Sequence, residues 1–373
     1  MLCIASAAVL FAIAVSAQTF VVDAANGPGA NFTSIVAAVA AVPDGSVLVV
    51  RAGHYDSFAI AGKSLSVLAD SGVTFGELGT GSITISGLAP SQHVVVRGLK
   101  ATQMSIFGCV VSCANCQGLV HLDAIEAGAG AVQLEVDQCA QVLATVCAFV
   151  GNNPYGSRVN GSDVTMVDCQ VRTSGGISAG VEQTGGRLQL TGTMVEGGLG
   201  FLAPGHSAVF MQGGELRVDA GCTLRGGLGS FGSGLAIDGF GSARIDPAAV
   251  LMPGPVAIGP NISHVTVALP NVHATGGALG SVASATLNGP SGQLGVLWIG
   301  IPSAQLLVPG WPDALWVLDG PVVAIGALGT PVTANVNVPN VGSLVGDRFG
   351  WQGLAIDAAG AFQISNAVWF VIR

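Results

Sequence analysis

The chain has 373 residues, of which 50% are hydrophobic, only 9% are charged and 56 are glycine. Its formal net charge is −9 and its only lysines are Lys63 and Lys100, which argues against a nucleic-acid-binding surface. A glycine-rich sequence with few charged residues disfavours long helices and suits strands joined by tight turns. The composition therefore predicts an all-β protein.

The first predicted element is an apolar segment, Leu2–Val15, which is followed by Ser16, Ala17 and Gln18. An apolar run of this length that ends in a small-x-small pattern is typical of a secretory signal peptide. We therefore predict a signal peptide over 1–17 and a mature protein that is secreted or held at the cell surface. No later segment has the length and apolarity of a membrane span, so the mature chain is not expected to be transmembrane.

A strand at Phe20–Asp23 and a short helix over 32–42 are predicted next. Asn31 or Thr33 is a candidate N-cap, and the Pro-Asp-Gly sequence at 43–45 stops the helix. The apolar residues that show helical spacing are Phe32, Ile35, Val36, Val39 and Val42.

A hydrophobic pattern then returns every 22 to 28 residues, and each copy is a short alternating strand. A single strand of this kind cannot bury its apolar side alone, whereas stacked coils of one chain can. The pattern predicts a right-handed parallel β-helix over 18–275, with 46–252 as stacked coils. The six copies are Val120–Asp123, Leu143–Val146, Thr165–Asp168, Leu188–Thr191, Leu216–Asp219 and Ala243–Asp246. The side chains predicted to point inward are Val120, Leu122, Leu143, Thr145, Val167, Leu188, Leu190, Leu216, Val218 and Ile245.

The segment VVDAANGPGANFTSIVAAVAAVPDGSVLVVRAGHYDSFAIAGKSLSVLAD, at 21–70, resembles the opening of pectin-lyase-like β-helix proteins, most closely that of pectin methylesterases. In that family a short helix caps the open end of the solenoid, and a strand leads to a Gly-x-Tyr turn, which Gly53-His54-Tyr55 matches. The resemblance is close over about 19–75 and implies the β-helix fold. The catalytic motifs of pectin methylesterases and of polygalacturonases are not found.

A second domain is predicted over 278–373, where all five tryptophans lie and where no Cys, Lys or His occurs. Alternating segments such as Val332–Val338 and Ala367–Ile372 lie between Gly and Pro turns, which predicts a small antiparallel β-sandwich. The ending FGWQGLAIDAAGAFQISNAVWFVIR resembles the C-terminal β-domain of secreted proteins from planctomycetes and related bacteria.

The family resemblance directs attention to outward acidic and basic residues, because enzymes of this fold use carboxylates, often with Ca²⁺ and an Arg, on the outside of the sheet. If Leu216 and Val218 point inward, the candidate catalytic residues Arg217, Asp219, Arg244 and Asp246 point outward. Asp168, Asp219 and Asp246 are weak candidate calcium ligands, and no cofactor is expected apart from Ca²⁺ under the lyase interpretation. These residues equally fit a structural interpretation, as exposed ion pairs between neighbouring coils and as Asx turns.

Two functions therefore remain open. The first is a non-catalytic protein that binds an extracellular polysaccharide or a cell-envelope component, or is structural. The second is a lyase or esterase that acts on a polysaccharide through the Asp/Arg face.

The cysteines follow the coil period, since Cys116 and Cys139 are 23 residues apart and Cys147 and Cys169 are 22 apart. Each pair is therefore predicted to lie side by side on adjacent coils, either as a disulfide or as stacked thiols. Cys109, Cys113 and Cys116 with His121 have a spacing that also fits a zinc site, and the six histidines are otherwise predicted to be surface or turn residues.

Overall fold

The computed structural model describes residues 18–76, 82–101, 108–128, 132–151, 156–173, 178–252, 257–306, 308, 313–318 and 320–373. The predicted signal peptide at 1–17 lies outside these residues. Contacts divide the described chain after Leu269 into two compact units, 19–269 and 270–373. The division comes a few residues before the boundary of 275 expected from the sequence, because Asn271–Thr275 pairs with a strand of the second unit.

The first unit consists of one helix and many short strands. The helix is α1 (Ile35–Ala41). The strands are β1 (Thr19–Val22), β2 (Ser46–Val50), β3 (Gly53–Tyr55), β4 (Phe58–Ala61), β5 (Leu65–Ala69), β6 (Val73–Phe75), β7 (Ile83–Ser86), β8 (His93–Arg97), β9 (Lys100–Ala101), β10 (Cys109–Ala114), β11 (Leu119–Asp123), β12 (Glu126–Ala127), β13 (Val132–Asp137), β14 (Gln141–Thr145), β15 (Ala148–Gly151), β16 (Ser157–Asn160), β17 (Asp163–Val167), β18 (Gln170–Thr173), β19 (Val181–Thr184), β20 (Arg187–Thr191), β21 (Met194–Glu196), β22 (Val209–Val218), β23 (Thr223–Arg225), β24 (Ile237–Ile245), β25 (Val250–Met252) and β26 (Ile262–Thr266).

These strands stack in parallel into three ladders, which confirms the predicted parallel β-helix. Ladder A contains β4, β7, β10, β13, β16, β19 and the first halves of β22 and β24. Ladder B contains β1, β2, β5, β8, β11, β14, β17, β20, the second halves of β22 and β24, and β26. Ladder C contains β3, β6, β9, β12, β15, β18, β21, β23 and β25.

One continuous apolar core fills the coils. Of the residues predicted to point inward, seven belong to this core: Val120, Leu122, Leu188, Leu190, Leu216, Val218 and Ile245.

The inward prediction was wrong for Leu143, Thr145 and Val167. In β14 the neighbours of the inward Val120 and Leu122 are Val142 and Ala144, so Leu143 and Thr145 point outward. Val167 in β17 is the neighbour of Thr145 and therefore also points outward. These strands carry apolar residues on both sides, and a shift of one residue moves every side chain to the opposite face.

Helix α1 packs its apolar side on the first coils, where Ile35 and Ala38 join the core. It is shorter than predicted and starts after a different cap. Ser34 is the N-cap residue, and its Oγ accepts the N–H of Ala37 at 3.5 Å. Asn31, one of the two predicted caps, instead accepts the N–H of Val21.

The corners between the ladders follow a local rule. A residue with a left-handed backbone, such as Gln138 or Val146, ends the strand, and the next residue carries a thiol or hydroxyl. That group donates to the carbonyl two residues before it, as Ser162 does to Asn160 at 2.7 Å. The residues in these positions are Cys116, Cys139 and Ser162 between ladders A and B, and Cys147, Cys169 and Thr193 between ladders B and C.

The second unit is antiparallel, as predicted, and forms two sheets. The side chain of Leu287 packs against Gly295 and Gly353. A Cβ at Gly353 would lie 2.7 Å from the Leu287 Cδ1, so a larger residue there would collide with Leu287. The strands are β27 (Asn271–Thr275), β28 (Val282–Asn288), β29 (Leu294–Leu306), β30 (Leu315–Leu318), β31 (Val322–Ala327), β32 (Val332–Asn337), β33 (Arg348–Ile356), β34 (Phe362–Ile364) and β35 (Val368–Val371), with a 3-10 turn at Gly342–Leu344.

Candidate functional site

The predicted Arg217 and Asp219 side chains lie on the outward side of ladder B, but they form a buried network. The Arg217 Nε lies 2.6 Å from Asp219 Oδ1. Gln189 and Thr191, from the preceding coil, donate to Asp219 Oδ2 at 3.0 and 2.6 Å. Asp219 is fully buried and Arg217 is only 4% exposed, so the expectation of exposed surface pairs is wrong here.

A second network lies on the same side of ladder B. Arg97 Nε is 3.1 Å from Asp123 Oδ2, and the two residues are direct neighbours in β8 and β11. Thr145 donates to Asp123 Oδ1 at 2.9 Å, and His121 Nε2 lies 2.9 Å from the Thr145 hydroxyl. His121 is fully buried, which corrects its prediction as a surface or turn residue.

The remaining predicted residues occupy structural positions. Asp246 accepts the backbone N–H groups of Ala248 and Leu269 at 2.8 and 2.7 Å, which is the expected Asx turn. Asp168 is a left-handed corner residue with φ of 52°. Arg244 is the neighbour of Arg217 on the next coil. Nowhere in the described chain do three His, Cys, Asp or Glu side chains form a group that could hold a metal ion, and this includes the predicted calcium and zinc ligands.

The two predicted cysteine pairs lie on adjacent coils. The Cys147 N–H points to the Cys169 Sγ at 3.4 Å, and the N–H of Ala140, next to Cys139, donates to the Cys116 carbonyl at 2.7 Å. All seven described cysteines are free thiols. Disulfide formation in an oxidising compartment stays a prediction, which thiol counting by mass spectrometry tests.

A further polar feature of the β-helix lies on ladder A, away from the candidate residues predicted from the sequence. A groove of about 480 Å³ runs across the outward side of β10, β13, β16 and β19. Its polar lining comes from neighbouring coils: Ser112, Glu135, Asp137, Arg158, Asn160, Glu182 and Thr184.

The groove is built from two rows of outward side chains. In the first row Ser112, Glu135, Arg158 and Glu182 are direct neighbours, one per coil, and Arg158 Nε lies 3.5 Å from Glu182 Oε2. In the second row Asn160 donates to Asp137 Oδ1 at 2.5 Å.

Both rows are accessible: in the first row the side chains of Arg158 and Glu182 are 37% and 32% exposed, and in the second row Asn160 and Thr184 are exposed. The groove therefore offers hydrogen-bond donors and acceptors to solvent, which the networks of ladder B do not.

The first row continues beyond the groove with an aromatic residue. Phe210 in β22 is the neighbour of Glu182, and Asp238 in β24 is the neighbour of Phe210. Both side chains are half-buried. An aromatic ring beside polar groups is a surface on which a sugar ring can stack.

A signal for this groove exists in the sequence. Glu135, Arg158 and Glu182 are 23 and 24 residues apart, which is the coil length. The candidate residues Arg217, Asp219, Arg244 and Asp246 belong to ladder B, whereas the groove lies on the preceding strand of each coil.

No family model matches the chain, and no curated protein matches it. Among solved structures it is similar to full-length tailspike protein 2 from a bacteriophage of Escherichia coli O157:H7, with 11% identity and a TM-score of 0.34. The alignment covers 96% of this chain and 64% of that one, so this chain spans less than two thirds of that protein.

No helix in the described residues has the length and hydropathy needed to span a membrane.

Proposed function

We propose that this protein is a secreted or cell-surface β-helix that binds a polysaccharide or cell-envelope glycan along ladder A, without cleaving it. The groove across β10, β13, β16 and β19 carries the proposal. It presents carboxylates, a guanidinium, an amide and hydroxyls at the intervals of the coils, which are about 4.8 Å apart. A row of groups that repeats at this interval suits a ligand that itself repeats, as a polysaccharide does.

The sequence-based prediction of a signal peptide at 1–17 agrees with this proposal, because a secreted protein would meet extracellular polysaccharides. A binding site needs a few placed polar groups on a pre-formed surface, and the stacked strands hold these side chains on a rigid frame.

The contacts of ladder B favour a non-catalytic role over the lyase or esterase alternative. A general base needs a carboxylate oxygen that can reach the substrate. Both oxygens of Asp219 already accept hydrogen bonds, from Arg217 on one side and from Gln189 and Thr191 on the other. Asp246 is similarly engaged with backbone N–H groups.

The test is a binding and turnover assay on a panel of neutral, acidic and amino polysaccharides. We expect binding without new reducing ends or unsaturated products, and at least about tenfold weaker binding by the Asn160→Ala/Phe210→Ala variant, a loss of about 1.4 kcal/mol. The Glu126→Gln variant, which changes an exposed carboxylate on ladder C, should bind like the wild type. Cleavage by the wild-type protein that is lost in Asp219→Ala and Arg217→Ala variants that still fold would establish the enzyme alternative instead.

A further inference from the structure

We infer that the glycan bound along ladder A carries amino groups, so that it is cationic and not a uronic acid or sulfated polymer. This inference rests on the proposed function and specifies its ligand. It starts from the charges of the groove, whose lining contains three carboxylates, Glu135, Asp137 and Glu182, and one guanidinium, Arg158. Two negative charges are therefore in excess.

The single guanidinium is already paired with a carboxylate, since Arg158 Nε is 3.5 Å from Glu182 Oε2. Glu135 is its neighbour on the preceding coil. A sugar carboxylate or sulfate that bound to Arg158 would have to compete with Glu182. It would also lie close to the remaining carboxylates, and like charges at such distances oppose binding.

The side chains of the second row also favour a cationic ligand over an anionic one. Asp137 accepts the amide of Asn160 at 2.5 Å, which leaves the amide oxygen of Asn160 directed away from that bond as a further acceptor. Ammonium groups are donors only, and the groove is rich in acceptors. An amino sugar matches it in charge and in hydrogen-bond type.

The aromatic end of the first row also suits a cationic sugar. Phe210 lies between Glu182 and Asp238 on successive coils, so its half-buried ring has a carboxylate on each side. An ammonium group near an aromatic face gains a cation–π attraction, and the apolar face of the sugar ring can stack on the same side chain.

The experiment measures the affinity of the protein by titration calorimetry for oligosaccharides of glucosamine, of N-acetylglucosamine and of galacturonic acid. The titrations are made in mildly acidic buffer, in which the amines of the glucosamine oligomer are mostly protonated. We expect the glucosamine oligomer to bind tightest and to lose affinity as salt is raised, because exposed charges are screened. The Glu135→Gln/Asp137→Asn variant should bind it about five- to tenfold more weakly. Glu126→Gln is the matched control, and its affinity should not change.

The remaining outcomes distinguish failure of the cationic preference from failure of glycan binding itself. Equal affinity for the N-acetylated and free amino oligomers, or tighter binding of the galacturonate oligomer, overturns the cationic preference and leaves glycan binding standing. Binding of the glucosamine oligomer that is unchanged in the double variant also overturns it, provided that the variant melts like the wild type. If none of these sugars and no member of the wider panel binds, the proposed function itself fails.

Discussion

At the level of single residues, the polar side chains of the β-helix divide into two groups. Arg217 and Asp219 form a buried pair whose hydrogen bonds are satisfied within two coils, whereas Arg158 and Glu182 form an exposed pair on ladder A. The sequence predicted an Asp/Arg pair at 217 and 219 and its outward direction. The burial of this pair was not predicted, because burial depends on the side chains of neighbouring coils and not on the alternation of residues within one strand.

Removing one partner of the buried pair should be costly. We predict that Asp219→Asn lowers the free energy of unfolding by about 3–5 kcal/mol, since it removes the carboxylate that pairs with the buried Arg217 guanidinium. Urea unfolding of the variant checks this value. Glu126→Gln removes the acid from the exposed pair with Lys100 and should change stability little. Equal stability of the two variants would contradict the buried network.

The thiol of Cys222 makes stability depend on pH. Burial raises the pKa of Cys222 from its usual value of 9.0 to about 12. Its stabilising contribution is therefore fully present below pH 9 and is lost as the pH rises toward 12, because the unfolded chain releases this proton first. We predict that Cys222→Thr, which places there the residue found at Thr193 on the preceding coil, flattens the alkaline loss of stability. Parallel stability curves for wild type and variant between pH 8 and about 11 would contradict this prediction.

At the level of strands, the inward residues could be predicted from the sequence only where the apolar residues lie on one side of the strand. In β20 and the second half of β22 the apolar residues alternate with Arg and Gln, so the inward residues were predicted correctly. In β14 the sequence Val-Leu-Ala offers apolar residues to both sides, and the prediction was wrong by one residue. The corners were also beyond sequence reasoning, because Gln138 and Val146 adopt a left-handed backbone that usually favours glycine.

The inward direction of Leu190 can be tested by a charge. Leu190 is fully buried between Met166 and Val218 on the neighbouring strands. We predict that Leu190→Asp prevents folding or secretion, because it loses about 1.5–3 kcal/mol of apolar burial and also buries a charge without a partner. The yield and melting temperature of the secreted protein check this, with Thr184→Asp on the exposed side of the same coil as the control. A variant at Leu190 that matches the control would show that the assigned direction is wrong.

At the level of the whole molecule, the periodicity was sufficient to predict the parallel β-helix and the change to antiparallel strands after it. The groove on ladder A was not predicted, because each coil contributes three strands and the six repeats recognised in the sequence all lie on ladder B. A single Glu or Arg within a strand is not a recognisable sequence motif. Glu135, Arg158 and Glu182 form a continuous charged row only because they stack on successive coils.

The most direct test of the proposed glycan-binding role is a crystal structure of the protein with the tightest-binding oligosaccharide of the panel. We predict an uncleaved sugar chain along ladder A, with its rings over Phe210 and its polar groups within hydrogen-bond distance of Glu135, Asp137 and Glu182. A sugar bound instead at Arg217 and Asp219 on ladder B, or found there as cleaved products, would contradict the proposal.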